Sequence, residues 1–345
     1  MTHPIADGIW PTMITPFTDT DTVDEAALEA LVAWYLDRQV NGLFAVCQSS
    51  EMFYLSLEER VQLAATVVKL VQGQVPVIAS GHISTDPAAQ VEEVSRIAAT
   101  GVDAVVLVTN RFAAPEESDA VWQRNLEWFL AHLPADIPLG FYECPYPYKR
   151  LLTPTLLAWC AATGRFLFLK DTSCDLTQME AKQAAVRHST LKIFNANAAT
   201  LLASLKLGLA GYSGVMANFH PELYAWLWQN WQTSPAAAQR LQDFLGCASL
   251  IERQVYPVNA KYYLQLEGLP LTLHTRSRAS QDLTSSAQLE VVQWRAVAQR
   301  YLDMEQSHSG IDFGVKKAIS SSDWNPHPEP QPAPSYHPRG CVDRS

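Results

Sequence analysis

The chain has 345 residues and a formal net charge of −10, with 48% hydrophobic and 17% charged residues. This composition supports a large folded core and argues against nucleic acid or an anionic membrane surface as the main partner. The six cysteines show no metal-binding spacing, and no apolar run approaches a membrane span of about 20 residues. No signal peptide is evident at the N-terminus, so we expect a reduced, soluble, cytoplasmic protein.

Short apolar runs alternate with longer amphipathic segments over the first two thirds of the chain. The runs predict eight strands, at 8–15, 42–47, 75–80, 104–108, 138–142, 166–170, 191–194 and 210–214. Helix start signals lie between them, including a capping box from Ser56 to Glu59 and prolines at first-turn positions, Pro87 and Pro154. The spacing of roughly 26 residues per strand–helix unit fits a (β/α)8 TIM barrel. A doubly wound open sheet is the main alternative, but no Gly-x-Gly-x-x-Gly turn follows a strand.

The pattern changes after His220, where only helices are predicted, at 221–231, 235–256, 258–267 and 285–305. We therefore assign 1–219 to the α/β barrel and 220–306 to a C-terminal helical appendage. The remaining segment, 307–345, is rich in proline, which predicts an extended or disordered tail without a chemical role.

A lysine stands at the end of the sixth predicted strand. The preceding run, Phe166 to Leu169, is typical of a strand that is buried on both faces. An ammonium at the end of such a strand must be paired, deprotonated or used, because burying it unpaired is unfavourable. Lys170 is therefore either a structural salt-bridge partner or a reactive amine.

The loops that follow the strands of a barrel share one face, where active sites lie. Tyr142 ends the fifth strand, and Gln48-Ser49-Ser50 follows the second, so these side chains converge on Lys170. Taken singly, the tyrosine could be a core aromatic and the serines ordinary turn residues. Together they suit a 2-keto acid such as pyruvate. A neutral lysine forms a Schiff base, a phenol transfers protons, and hydroxyl and backbone N–H groups bind a carboxylate.

Several motifs extend this set along the chain: Gly8-Ile9-Trp10-Pro11, Tyr142 followed by Pro145, Phe168-Leu169-Lys170-Asp171-Thr172-Ser173, and Tyr256-Pro257-Val258-Asn259-Ala260-Lys261. With them, the chain from residue 8 to about 273 resembles the class I aldolase family that includes dihydrodipicolinate synthase and N-acetylneuraminate lyase. The resemblance implies that Lys170 forms the imine, that Tyr142 relays protons, and that Ser49 with the Ser50 backbone binds the keto-acid carboxylate. It also implies a homo-oligomer, either a dimer or a tetramer.

Three positions depart from the synthase pattern. Gln48 replaces a relay hydroxyl, and an amide cannot pass on a proton as a hydroxyl does. Phe112 replaces the relay tyrosine that a neighbouring subunit supplies, and Pro147 replaces the arginine that grips the second substrate. These departures predict a divergent member that is not a dihydrodipicolinate synthase.

The predicted activity is that of a Schiff-base aldolase or lyase that joins pyruvate to an aldehyde or cleaves the product. The protonated imine is the electron sink, so neither a metal nor a dissociable cofactor is expected. The alternatives are a keto-sugar-acid dehydratase or hydratase-aldolase that uses the same lysine, and a degenerate member that binds a keto acid without turnover. Candidate substrate-binding residues are Gln48, Ser49, Ser50, Phe112, Asn195 and Ser213. Asn197, Lys149 and Arg150 are further candidates for contacting a sugar acid.

Overall fold

A computed structural model describes residues 4–309 of the chain. Within that range, eight short parallel strands form one sheet: β1 (Gly8–Ile9), β2 (Leu43–Phe44), β3 (Val77–Ala79), β4 (Ala104–Val108), β5 (Leu139–Tyr142), β6 (Phe166–Asp171), β7 (Lys192–Asn195) and β8 (Gly211–Tyr212). Neighbouring strands in sequence pair with one another, and β8 pairs with β1. A parallel bridge between Thr12 and Phe44 joins the segment after β1 to β2. The sheet is thus a closed barrel, and the predicted TIM-barrel fold is confirmed.

A helix follows each strand on the outside of the barrel: α1 (Glu25–Leu36), α2 (Leu57–Val71), α3 (Pro87–Ala98), α4 (Asp119–Ala131), α5 (Pro154–Ala162), α6 (Leu176–Val186), α7 (Leu201–Lys206) and α8 (Pro221–Asn230). The predicted helix start signals lie at the N-terminal ends of helices in the structure. The Ser56 hydroxyl accepts from the Glu59 N–H at 3.1 Å, and a Glu59 carboxylate oxygen accepts from the Ser56 N–H at 2.8 Å. These bonds satisfy N–H groups that the first turn of α2 leaves without intrahelical partners.

Up to residue 309, where the described part of the chain ends, three further helices follow the barrel: α9 (Pro235–Ala248), α10 (Val258–Leu266) and α11 (Ser285–Ser309). The predicted helix over 235–256 is too long, because α9 ends at Ala248 and a 3-10 turn, Ser249–Arg253, follows it. Pro257 explains why no helix runs through this point, since proline disfavours helical backbone in the residue before it. The predicted boundary at residue 219 falls just before α8, which packs on β1.

The predicted tail from residue 307 lies outside the described residues, apart from the end of α11. No helix in the described range is long and apolar enough to cross a membrane.

Aromatic side chains fill the barrel interior beneath the C-terminal ends of the strands. The Phe168 ring stacks on Phe194 with centroids 4.6 Å apart, and it contacts Trp10 at 5.5 Å and Phe44 at 6.1 Å. Phe168 lies two residues before Lys170 on β6, and side chains two apart on a strand share a face. Lys170 therefore stands directly above a dry aromatic floor.

Candidate active site

Lys170 and Tyr142 lie side by side at the barrel mouth. They are register partners in the β5–β6 pair, and the Lys170 Nζ is 4.6 Å from the centroid of the Tyr142 ring. Lys170 is 4% exposed, and it forms no ion pair within residues 4–309. Burial lowers the pKa of Lys170 to about 8. The salt-bridge interpretation is therefore wrong, and the amine is kept partly neutral by desolvation.

The Tyr142 hydroxyl donates to the Gln48 Oε1 at 3.2 Å, and the Cys144 thiol donates to the same oxygen at 3.4 Å. Burial raises the pKa of Tyr142 well above its ordinary value, so the phenol keeps its proton. Gln48 thus acts as a hydrogen-bond acceptor that orients the phenol. The predicted contact between the loop after β2 and the end of β5 is present.

Ser49 and Ser50 have different surroundings in the loop after β2. The Ser50 hydroxyl accepts from the Cys47 N–H at 2.8 Å and donates to the Ala45 carbonyl at 2.9 Å, so its side chain holds the loop together. The Ser49 hydroxyl donates to the Thr12 hydroxyl at 3.2 Å. The backbone N–H groups of Ser49 and Ser50 bind no acceptor in the described part of the chain. These N–H groups are without an acceptor, and the Ser49 hydroxyl can donate to an anion only by turning away from Thr12.

Tyr256 reaches this loop from the C-terminal region. Its phenol accepts from the Asn218 Nδ2 at 3.0 Å and lies in hydrogen-bonding range of the Ser49 hydroxyl. The same Asn218 Nδ2 donates to the Thr12 carbonyl at 2.9 Å, and Tyr35 donates to the Asn218 Oδ1. Because Asn218 is a donor towards Tyr256, the phenolic proton is directed elsewhere, to Ser49 or to a ligand.

Glu252 also faces the mouth from the 3-10 turn after α9. Burial raises the pKa of this carboxyl, and Lys170 is the first of the charges that lower it. Sequence reasoning missed both Glu252 and Tyr256. Tyr256 belongs to the Tyr256-Pro257-Val258 motif, but nothing in the local sequence indicates that this segment turns towards the barrel.

Two predicted substrate-binding residues are engaged in the protein interior instead. Phe112 is 2% exposed and packs against His82 at 5.2 Å, Trp122 at 5.4 Å and Phe129 at 5.5 Å. This prediction was wrong in its geometry, because the ring fills a gap between the barrel and α4 and does not line the mouth.

The Asn195 amide is also occupied. Its Nδ2 donates to the Thr200 hydroxyl at 3.0 Å and to the Ser204 hydroxyl at 2.9 Å, while its Oδ1 accepts from the Asn197 N–H at 2.7 Å. Asn195 therefore anchors the start of α7. Ser213 differs, since its buried hydroxyl has no partner among the described residues.

The two residues that follow Tyr142 and Lys170 point away from the mouth. Glu143 and Asp171 each bind the Lys182 ammonium of α6 at 2.6 Å, and all three side chains are at most 1% exposed. Glu143 also accepts from the Leu152 N–H at 2.8 Å and the Thr172 N–H at 3.2 Å. This cluster ties the ends of β5 and β6 together behind the reactive face.

A barrel with a desolvated lysine and an adjacent phenol at its mouth is the arrangement of Schiff-base lyases. The family model for the dihydrodipicolinate synthetase family matches residues 6–294. The chain belongs to this family of class I aldolases and lyases, and it is a divergent member of it.

Curated relatives agree with this assignment. The chain is 30% identical over 220 residues to the 4-hydroxy-tetrahydrodipicolinate synthase of Ruegeria pomeroyi, covering 63% of this chain and 73% of that protein. It is 28% identical over 218 residues to the synthase of Methanoculleus marisnigri, covering 62% and 72%.

Solved structures share the fold. Dihydrodipicolinate synthase from Bacillus anthracis superposes with a TM-score of 0.77 at 20% identity, covering 85% of this chain and 99% of that one. YagE from E. coli, a family protein solved in complex with pyruvate, gives a TM-score of 0.76 at 23% identity, covering 85% and 98%.

Proposed function

We propose that this protein joins a 2-keto acid such as pyruvate to an aldehyde, or cleaves the product, through an imine on Lys170. The observation that carries the proposal is the Lys170 amine, which is buried without an ion pair and touches the Tyr142 ring at 4.6 Å. A lysine with a pKa of about 8 is neutral in about a tenth of the molecules at pH 7, far more than an ordinary lysine, and only the neutral amine is a nucleophile.

In the proposed reaction the amine adds to the keto carbon, and water leaves to give a protonated imine. Loss of a proton from the neighbouring carbon gives an enamine, which attacks the aldehyde carbon while the aldehyde oxygen takes up a proton. Water then releases the product from Lys170. Tyr142 is proposed to carry the protons, since its hydroxyl is held by Gln48 beside the amine.

The keto-acid carboxylate is proposed to bind at the loop after β2. The N–H groups of Ser49 and Ser50 supply donors there, the Ser49 hydroxyl can turn from Thr12 to add another, and Tyr256 supplies a phenolic donor beside Ser49. Hydrogen bonds from several neutral donors bind a carboxylate without a full counter-charge. Ser213 is a further candidate for contacting substrate. The chemistry requires neither a metal nor a dissociable cofactor, because the protonated imine accepts the electron pair.

The acceptor is proposed to differ from that of the synthases among the relatives. Gln48 and Pro147 stand at positions where the synthase pattern has other chemistry, and Phe112 is packed in the interior. A homo-oligomer, as a dimer or tetramer, remains an expectation; a monomeric dihydrodipicolinate synthase variant is among the structures with this fold.

One observation favours the dehydratase or hydratase-aldolase alternative. Glu252 places a half-buried carboxyl on the Lys170 side of the mouth, and burial raises its pKa. A carboxyl of this kind could protonate a leaving hydroxyl group while the imine activates the neighbouring carbon. Release of water from a keto sugar acid without cleavage of a carbon–carbon bond would support this alternative.

Reduction with borohydride in the presence of pyruvate tests the main proposal. We expect a mass increment on the peptide that contains Lys170, and no increment in Lys170→Arg. The exposed Lys206→Arg is the matched control and should keep the adduct. Lys261 is an internal comparison, because burial also lowers its pKa to about 8 but Glu51 lies 3.9 Å away.

An adduct on Lys261 alone, or on neither lysine, would contradict the proposal. Turnover of an aldehyde separates the enzyme from a degenerate keto-acid binder: a binder would form the adduct and release no aldol product. In Lys170→Arg we expect turnover to fall by at least about a thousandfold.

A further inference from the structure

Arg111 is a half-buried guanidinium between two loops of the barrel mouth. It follows β4, and its Cζ lies 5.4 Å from the centroid of the Phe53 ring, in the loop after β2. Phe53 in turn contacts Tyr146, in the loop after β5, with centroids 4.8 Å apart. These are the loops that carry Gln48 and Tyr142, respectively.

The backbone at Arg111 is held in place by its neighbours. The Asn110 Nδ2 donates to the carbonyls of Cys144 and Tyr146, both at 3.0 Å, and the Tyr148 hydroxyl donates to the Asn110 carbonyl at 2.7 Å. The Arg111 carbonyl accepts from the Gln90 Nε2 at 3.1 Å. The guanidinium is therefore carried by a rigid turn fixed to the loop after Tyr142.

No carboxylate pairs with Arg111 in the described part of the chain. Its Nε is buried without a hydrogen-bond partner. Burial is the main cause that lowers the pKa of Arg111, and among the groups that raise it the carboxylate is that of Glu93. Glu93 is already paired with Arg60 at 3.0 Å. A guanidinium carries five N–H donors that favour a carboxylate or phosphate, so this group lacks its preferred partner.

Two other basic side chains near this face, Lys149 and Arg150, have hydrogen-bond partners within the protein. The Lys149 Nζ donates to the Thr172 carbonyl at 2.8 Å. Arg150 donates to the Ala114 and Glu117 carbonyls and pairs with Asp119 at 3.1 Å. Arg150 is therefore engaged by the protein itself, whereas Lys149 is exposed and its contact with a sugar acid stays a prediction.

The net charge of the chain also bears on where an anion can bind. The chain has a net charge of −10, so an anion needs a local cation to be held at this surface. Glu252 lies on the side of β8, near the neutral phenols of Tyr212 and Tyr224, and supplies no positive charge there. Arg111 follows β4 and supplies a local cation for the anionic end of a substrate.

We propose that Arg111 forms an anion subsite of the mouth, and that the aldehyde partner carries a carboxylate or phosphate group. This inference rests on the proposed imine chemistry and names the class of its second substrate. Phe53 and Tyr146 form the apolar wall of the subsite, against which the carbon chain of the aldehyde packs.

The test compares charged and uncharged aldehydes of similar size with pyruvate: succinic semialdehyde against butanal, and glycolaldehyde phosphate against glycolaldehyde. The wild-type enzyme should prefer an anionic member, and the two pairs separate carboxylate from phosphate. Arg111→Gln should lower kcat/KM for the preferred anionic aldehyde about 10- to 100-fold and leave the uncharged one within about threefold. Arg124→Gln removes an exposed charge on α4 and should change neither value.

Other outcomes overturn the inference. These are equal losses for both aldehydes, no charge preference in the wild-type enzyme, or a change confined to oligomeric state in gel filtration. Trapping of the pyruvate imine should be intact in Arg111→Gln, which separates this inference from the proposed function. If no imine forms at all, calorimetric titration with succinate still decides: binding lost in Arg111→Gln supports the subsite, and unchanged binding refutes it.

Discussion

Lys170 and Lys182 are both buried lysines at the C-terminal end of the barrel, and their surroundings are opposite. Lys182 binds two carboxylates at 2.6 Å, whereas Lys170 has an aromatic floor, a phenol and no ion pair within the described residues. The pKa values diverge accordingly. Desolvation works against the charge of both, but the attraction of Glu143 and Asp171 outweighs it and raises the pKa of Lys182, while that of Lys170 falls to about 8.

Strand alternation explains the contrast. Tyr142 and Lys170 face the barrel interior, and the next residues, Glu143 and Asp171, face the helices, where Lys182 lies on α6. The carboxylates that directly follow Tyr142 and Lys170 on this strand pair are thereby directed away from Lys170 and paired with Lys182. A buried lysine becomes reactive here because the two carboxylates nearest to it on the strands are bound to Lys182, and because Glu252 forms no ion pair with it among the described residues.

The largest stability effect is expected from replacing Lys182, which is paired with two carboxylates. Lys182→Met leaves two buried carboxylates without a cation, which should lower the free energy of unfolding by about 3–5 kcal/mol. Urea denaturation measures this loss. Combining Lys182→Met with Glu143→Gln and Asp171→Asn should restore most of it, since no net charge then remains buried. A loss below about 1 kcal/mol for Lys182→Met would break the comparison.

Replacing Lys170, which has no ion pair among the described residues, should change the free energy of unfolding in the opposite direction. The pKa of Lys170 is lower in the folded protein, about 8, than its ordinary value of 10.5, so the fold disfavours the charged amine. This penalty is complete below pH 8 and disappears as the pH rises towards 10.5. Lys170→Met should therefore raise the free energy of unfolding by about 3 kcal/mol at pH 7, and by progressively less at higher pH. Destabilisation at pH 7 would contradict this account.

The smallest effect is the pH dependence of imine formation. The neutral Lys170 amine is the nucleophile, so the rate of imine trapping with pyruvate should rise about tenfold per pH unit below pH 8 and level off above it. Rapid quenching with borohydride across this range measures the profile. A rate that continues to rise up to the ordinary lysine pKa would show that burial does not tune this amine.

The main parts of the fold were predictable because they depend on local signals. Buried apolar runs predict the eight strands, and the Ser56 capping box and Pro257 mark where helices begin or cannot continue. Lys170 and Tyr142 could be placed at one mouth since both end predicted strands, and parallel strands of a barrel end on the same face. Their contact at 4.6 Å agrees with that placement.

The residues around them were less predictable. Phe112 and Asn195 occupy loop positions that suggest the mouth, but packing against α4 and hydrogen bonds to α7 take their side chains elsewhere. Glu252 lies in the 3-10 turn after α9 and Tyr256 in the irregular segment that follows it, a stretch that the sequence pattern predicts as continuous helix. Side-chain direction beyond a strand end depends on contacts between distant segments, which local periodicity does not encode.

The sequence by itself determined the barrel, the alternation that points Lys170 and Tyr142 inward, and the resemblance to an imine-forming family. The tertiary structure alone decided which charges are paired. Lys182 forms ion pairs with Glu143 and Asp171, and Arg150 forms one with Asp119. Among the described residues, neither Lys170 nor Arg111 forms an ion pair with a carboxylate. The reason is physical. Charge pairing requires atoms to lie within a few ångströms, and that proximity arises only when segments far apart in the chain fold together.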